Sequence, residues 1–324
     1  MRAVVYHRYG SPDVLEFADI EKPVVNDDEV LIKVHAASVN RSDWESLTAR
    51  PLYVRLAGSG VLKPKRAILG SDIAGRVEAV GQSVTQFQPG DEVFGDIMWH
   101  GLGAFAEYVS VPERAPLAVK PAGMTFAQAA ALPQAAVLGL QGLRAEGEIQ
   151  PGHRVLINGA GGGAGSFAVQ IAKLLGAEVT GVDSTPKLDT MRSIGADHVI
   201  DYTREDFTKG GHRYDRIIDF ASHRSIFAYR RALGPEGIYL IVGGSMPRLL
   251  QAALIGSLIS RTGTKHMGVL VAKPNKEDLV HLAGLVETKK IAPLIDRHYE
   301  LSEVPEALRY LGEGHAKGKV VITL

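Results

Sequence analysis

The 324-residue sequence predicts an α/β protein of two domains, one β-rich and one built on a doubly wound parallel sheet. Three observations predict it. Short alternating apolar and polar segments fill the first 120 residues, strands alternate with helices from about Pro121 onward, and a glycine-rich turn joins one of those strands to a helix. The length agrees, at roughly 150 residues per domain.

In chain order, residues 30–34 (VLIKV) and 106–111 read as strands of an antiparallel domain, with turns at Val80-Gly81-Gln82 and Gln88-Pro89-Gly90-Asp91. Residues 124–142 are Ala-rich and helical in pattern, with a break at Pro133. After Pro151-Gly152, apolar strands are expected at 154–158, 178–183, 198–202, 214–220, 237–243 and 265–272, with helices at 166–175, 187–194 and 277–289. Alternation of this kind specifies right-handed crossovers and a parallel sheet covered on both faces. The apolar run 249–259 is interrupted by Gln251, Gly256 and Ser257 and falls short of the ~20 residues of a membrane span, so it is expected as a buried or interface helix. The closing run 320–324 suits a strand that rejoins the first domain. The expected domains are 1–123 with 274–324, and 124–273.

Composition removes several functions. The 36 basic and 36 acidic side chains cancel, which gives no encouragement to a phosphate-neutralising nucleic-acid surface. With no cysteine there is no disulfide, thiolate nucleophile, iron–sulfur cluster or Cys-ligated zinc. No two of the 11 histidines lie within a helical turn of each other. The opening MRAVVYHRYG lacks the pattern of a targeting segment, and a cytoplasmic location without membrane attachment is expected.

The strongest local signal is Gly159-Ala160-Gly161-Gly162-Gly163-Ala164-Gly165, which follows strand 154–158 and opens a helix. Such glycines permit a tight turn and let backbone N–H groups approach a pyrophosphate, favoured by the positive end of the helix. Ala160, Gly162, Gly163, Ala164 and Gly165 are the candidate cofactor-binding positions. A second strand ends at Asp183, placed to accept from an adenosine ribose, which favours NAD(H). Ser184 and Lys187 point instead to the 2′-phosphate of NADP(H). The same residues also suit a helix cap and a solvated charge.

The stretches 37–43 (ASVNRSD), 69–84 (LGSDIAGRVEAVGQSV), 87–95 (FQPGDEVFG), 130–143 (AALPQAAVLGLQGL), the AxGxxG at 160–165 and 315–324 (HAKGKVVITL) together resemble the medium-chain dehydrogenase/reductase superfamily, in its zinc-free quinone oxidoreductase-like branch. The resemblance implies a GroES-like catalytic domain, a Rossmann domain, a cofactor cleft between them and a homodimer. Where zinc-dependent relatives hold ligands, this sequence has Asn40, Ser71 with Asp72, and a Pro-Gln-Ala stretch around Gln134, so no metal is expected. The expected cofactor is NADPH, with NADH possible because of Asp183.

Without a Lewis acid, alkoxide formation is difficult, whereas a quinone or α,β-unsaturated carbonyl accepts hydride at carbon. The expected function is therefore hydride transfer from NADPH to such a small molecule. The alternatives are an alcohol or aldehyde dehydrogenase and a non-catalytic NADPH-binding sensor. The resemblance puts Asn40 beside the nicotinamide, as a hydrogen-bond donor or positioning group; Asp43 is expected to organise the loop rather than to abstract a proton. Tyr53 and Trp44 are expected against the acceptor or in the core, and Tyr53 would supply the phenol that relatives place where Glu45 stands. Leu138 replaces a Thr that relatives place near the nicotinamide. Residues 49–65 are expected to cover the pocket. Tyr202 and the Val242-Gly243 turn are implied at the cofactor, and Lys317 and Lys319 are expected either at a phosphate or in solvent.

Overall fold

The computed structural model describes residues 1–51, 54, 55 and 60–324. Strands β1 (Arg2–Val5), β2 (Glu16–Asp19) and β3 (Glu29–Val39) lead to helix α1 (Arg41–Thr48), followed by β4 (Asp72–Val80), β5 (Glu92–Asp96), β6 (Tyr108–Pro112), β7 (Leu117–Val119) and α2 (Phe126–Ala130). Pro133 opens α3 (Pro133–Arg144), where its missing N–H costs no helical hydrogen bond. Then come β8 (Arg154–Asn158), α4 (Gly163–Leu174), β9 (Glu178–Asp183), α5 (Leu188–Ser193), β10 (His198–Asp201), β11 (Tyr214–Asp219), α6 (Ile226–Ala232) and β12 (Leu233–Ile241). Helix α7 (Met246–Gln251) passes through a π-helical turn (Ala252–Gly256) into α8 (Ser257–Thr262), and β13 (His266–Val269), α9 (Lys276–Glu287), β14 (Ile295–Glu300), α10 (Val304–Gly312) and β15 (Lys319–Thr323) close the chain.

Two compact units result, Met1–Gln134 with Pro274–Leu324, and Ala135–Lys273. The first crossing falls at 134 rather than 123, because α2 packs on β3 and β4 of the first unit. In that unit the sheet runs β14-β15-β3-β4-β5-β7, with β6 also paired to β3. The long β3 is its centre, and alternate residues such as Val30, Ile32 and Val34 join Phe105 and Leu308 in the core. β15 pairs antiparallel with β3, so the apolar end of the chain does rejoin the first domain.

The second unit is an all-parallel sheet in the order β10-β9-β8-β11-β12-β13. The strand order reverses between β8 and β11, and ligands of such sheets lie beyond the carboxyl ends of the strands there. β12 starts at Leu233 rather than 237: Leu233 pairs with Tyr214, and the ladder resumes at Ile238 opposite Arg216 after a bulge. The run expected as one helix at 249–259 spans α7, the π turn and α8, burying Ala252 and Ile259 while Leu250, Leu254 and Leu258 face outward. Among the described residues no helix is long and apolar enough to cross a membrane.

Candidate functional site

Each unit contributes its own constellation. In the second, β8 runs into the glycine turn. Gly159 takes φ +83°, a left-handed conformation that favours glycine, and a Cβ added to Gly165 would stand 2.1 Å from the Gly159 carbonyl oxygen. Gly162 caps α4, and the N–H groups of Gly163, Ala164 and Gly165 have no backbone acceptor among the described residues. Beside Gly162 an added Cβ would meet only the Gly159 oxygen, at 3.4 Å. Free donors, an open face and the positive end of a twelve-residue helix fit a pyrophosphate.

Asp183, expected at a ribose, is turned inward. Its Oδ2 accepts the Gly161 N–H at 3.0 Å and its Oδ1 the Ser184 N–H at 2.8 Å, while Lys187 Nζ stands 3.6 Å away. Lys187 is buried rather than solvated, its stem packed where a Gly161 side chain would otherwise lie. The Ser184 hydroxyl makes no helix cap; it points at the Asp183 carboxylate, and the Thr185 hydroxyl donates to Asp201. Tyr202 bonds its N–H to the Asp183 carbonyl and keeps an exposed ring near His223. The Val242 and Gly243 N–H groups donate to the Asp219 carbonyl.

Asp219 escaped the sequence reading. Its buried carboxylate accepts from Asn158 Nδ2 at 2.7 Å, the Ala221 N–H at 3.2 Å and the Tyr239 hydroxyl at 3.0 Å, and burial pushes it above the ordinary carboxylate range. It fixes Asn158, the last residue before the turn. A charged residue ending the apolar strand RIID was the available signal.

In the first unit the sheet register assembles a second cluster. Ser38 lies opposite both Asp72 and Val321, and Asp72 opposite Asp96. With side chains alternating along a strand, Asn40 and Lys319 share that face. The five polar ones, Ser38, Asn40, Asp72, Asp96 and Lys319, are all buried. Asp72 Oδ2 accepts from Ser38 Oγ at 2.8 Å, Asn40 Nδ2 at 2.8 Å and Lys319 Nζ at 3.3 Å, and its Oδ1 accepts the Gln134 N–H at 3.0 Å. Asn40 Nδ2 also reaches Ser71 Oγ at 3.2 Å, and Asn40 Oδ1 accepts from Lys319 Nζ at 2.6 Å. Both hydrogens of the Asn40 amide are thus committed within the cluster, and the side chain holds Asp72, Ser71 and Lys319 together.

Asp43 does organise the loop. Its carboxylate accepts the Asn40 and Gly70 N–H groups, and burial pushes it up to about 7, with Asp72 adding to the rise. Burial and then Asp72 push Asp96 up to about 8. Trp44 is a packing residue, its ring against Gly312 of α10. Tyr53 lies outside the described residues, as do 52 and 56–59 of the stretch expected over the pocket. A cavity of about 450 Å³ at the start of that stretch is lined by Tyr9, Gly10, Thr48, Ala49, Arg50 and Arg55. Lys317 is exposed, whereas Lys319 is neither solvated nor free.

Comparison with known proteins agrees with this architecture. The family of alcohol dehydrogenase GroES-like domains matches residues 26–122, and that of zinc-binding dehydrogenases matches residues 194–322. A 2-methylene-furan-3-one reductase of Solanum lycopersicum is 34% identical over 99% of this chain and 79% of its own length. The chain belongs to the medium-chain dehydrogenase/reductase superfamily. An NADPH-dependent alkenal/one oxidoreductase of Arabidopsis thaliana, chloroplastic, is 33% identical over the same shares. The solved quinone oxidoreductase from Coxiella burnetii superposes with TM-score 0.88 at 28% identity, over 100% of this chain and 99% of its own. Within the superfamily the chain falls in the quinone oxidoreductase-like branch and is an enzyme, an oxidoreductase.

Proposed function

We propose that this oxidoreductase uses NADPH, without zinc, to reduce quinones or α,β-unsaturated carbonyls, and that it works as a homodimer. The observation that carries the reading is the buried Lys319 ammonium within 2.6 Å of Asn40 and 3.3 Å of Asp72. Zinc-dependent members of the superfamily place metal ligands at the positions matching Asn40, Ser71 and Asp72. Here the donor set holds no thiolate or imidazole, the carboxylate is already bonded four times, and a resident cation repels a second one. The residues present do not fit zinc.

A bound reduced nicotinamide supplies a hydride. Hydride added at carbon of a quinone or enone leaves its charge on oxygen, which hydrogen bonds stabilise and water protonates, so the acceptor needs no metal. In the Rossmann unit, the glycine turn and α4 hold the pyrophosphate, and Asp183 braces the turn from behind. Asp183, Lys187 and the Ser184 hydroxyl hold one another beside the turn, and the choice of NADPH is supported by the name of the NADPH-dependent Arabidopsis relative. The names of the two plant relatives and of the Coxiella structure support the acceptor classes.

The test follows oxidation of NADPH and NADH by absorbance against a panel of quinones and enones, with and without a strong chelator. Faster turnover with NADPH, unaffected by chelator, is expected. Loss of activity with chelator overturns the zinc-independent reading, and NADPH binding with no turnover of any acceptor replaces the reductase by a sensor.

A further inference from the structure

The Asn40 cluster contains three buried carboxylates, Asp43, Asp72 and Asp96, and among the described residues around it a single buried cation, Lys319. Lys319 comes from the last strand, 279 positions from Asn40 in sequence, and its side chain is 2% exposed. A lysine ammonium only donates and a carboxylate accepts, so their positions decide which way the intervening amide points: Oδ1 toward Lys319, Nδ2 toward Asp72 and Ser71. Asn40 in turn sits at the N-cap of α1, where its backbone N–H is held by Asp43 at 2.8 Å. Remove the ammonium and three things follow: Asn40 Oδ1 loses its strongest donor, the amide is free to flip, and Asp72 is left buried without its counter-ion.

We propose that Lys319 is a positioning residue of the reductase, which sets the orientation of the Asn40 amide and balances Asp72 so that the start of α1 meets the acceptor in one fixed geometry. This rests on the reductase reading above and on the resemblance that puts Asn40 beside the nicotinamide. A purely structural lysine predicts something different, a loss of folding stability that leaves turnover of the folded enzyme intact.

Lys319→Met is expected to lower kcat about tenfold or more with both quinone and enone acceptors while NADPH affinity, read by fluorescence titration, stays within roughly twofold. Asn40→Ala/Lys319→Met should be no slower than Asn40→Ala alone, since both remove the same arrangement. Rescue is available because the chain has no cysteine. Lys319→Cys, unfolded, alkylated with 2-bromoethylamine and refolded beside a wild-type control, regains an ammonium at nearly the lysine position and should regain most of the lost kcat. Should Lys319→Met fail to fold, Asp72→Asn/Lys319→Met restores the charge balance and should remain slow. Unchanged kcat in Lys319→Met, additive losses in the double variant, no rescue by aminoethylation, or wild-type kcat in the charge-balanced pair would each overturn the proposal.

A readout independent of turnover separates this from failure of the reductase reading. The Asn40 side-chain amide protons should exchange slowly in the wild type, and exchange faster with shifted NMR resonances in Lys319→Met. Unaltered Asn40 resonances overturn the clamp even if the enzyme is active, and a wild type that turns over no quinone or enone overturns the reductase reading even if the clamp is present.

Discussion

Asp96 faces Asp72 directly across β4 and β5, with Asp43 and Lys319 as the other charged groups of the cluster. Burial, reinforced by Asp72, raises Asp96 to about 8, and burial raises Asp43 to about 7. The folded chain therefore keeps protons that the unfolded chain has released once the pH exceeds the ordinary aspartate value. Stability contributed in this way is complete at low pH and is lost as pH rises through the folded values. Carboxylates held low, such as Glu92 beside Arg76 and Lys120, act in the opposite sense, and only in acid. Tm is thus expected to fall between pH 6 and pH 9, and Asp96→Asn should flatten that fall by several degrees, at roughly 2–4 °C per kcal/mol for a domain of this size. Calorimetry across the pH series checks it, and an equal slope in the variant removes Asp96 as the cause. Asn40 was found from its motif, whereas Asp96 was not singled out and Lys319 was expected at a phosphate or in solvent. Their partners lie 24 and 279 positions away, and nothing local in FGDI or GKVV shows that a charge there is buried.

At the level of elements, the same substitution is expected to change sign with its surroundings. In Gly165→Ala the new Cβ falls on backbone, 2.1 Å from the Gly159 oxygen, and neither partner is the yielding end of a side chain. The turn must open, so a loss of about 2 kcal/mol or more in stability and about tenfold in NADPH affinity is expected. Gly284→Ala, inside α9 with nothing within 4 Å, should stabilise by roughly 0.5–1 kcal/mol through helix propensity and a less flexible unfolded chain. Denaturant melts of both variants beside the wild type, with cofactor titration of the first, test the pair together. The turn was legible because its context was local: a strand, a run of glycines, a helix. The start of β12 was not, since Leu233 joins the ladder only through a bulge that Gly234, Pro235 and Gly237 disguise as a turn. Asp183 shows the same limit, its strand and position visible in sequence but its engagement with the Gly161 N–H decided by the folded turn.

For the whole molecule, the α/β class and the return of the last strand were readable because hydrophobic periodicity survives in every strand, whereas for 249–259 the sequence left burial and an interface both open. Leu250, Leu254 and Leu258 recur every four residues along one helical run and are 51%, 71% and 61% exposed, and Val271, just past β13, is 74% exposed. Single exposed leucines are ordinary; a row of them beside the last strand of a sheet is a surface suited to cover. β13 is that last strand, and α8 packs on it. A two-fold pairing of identical copies would bury the row against itself and place both edge strands under protection. On the homodimer reading, Leu254→Glu sets a carboxylate at the middle of the buried row, and two copies of it meet near the symmetry axis. Desolvating those charges costs several kcal/mol, enough to weaken association by about a hundredfold or more. Light scattering coupled to size exclusion should then show the mass falling from two chains to one, with the circular dichroism of the folded chain retained. A wild type that already elutes with the mass of one chain, or a variant that stays paired, places the interface elsewhere or dispenses with it.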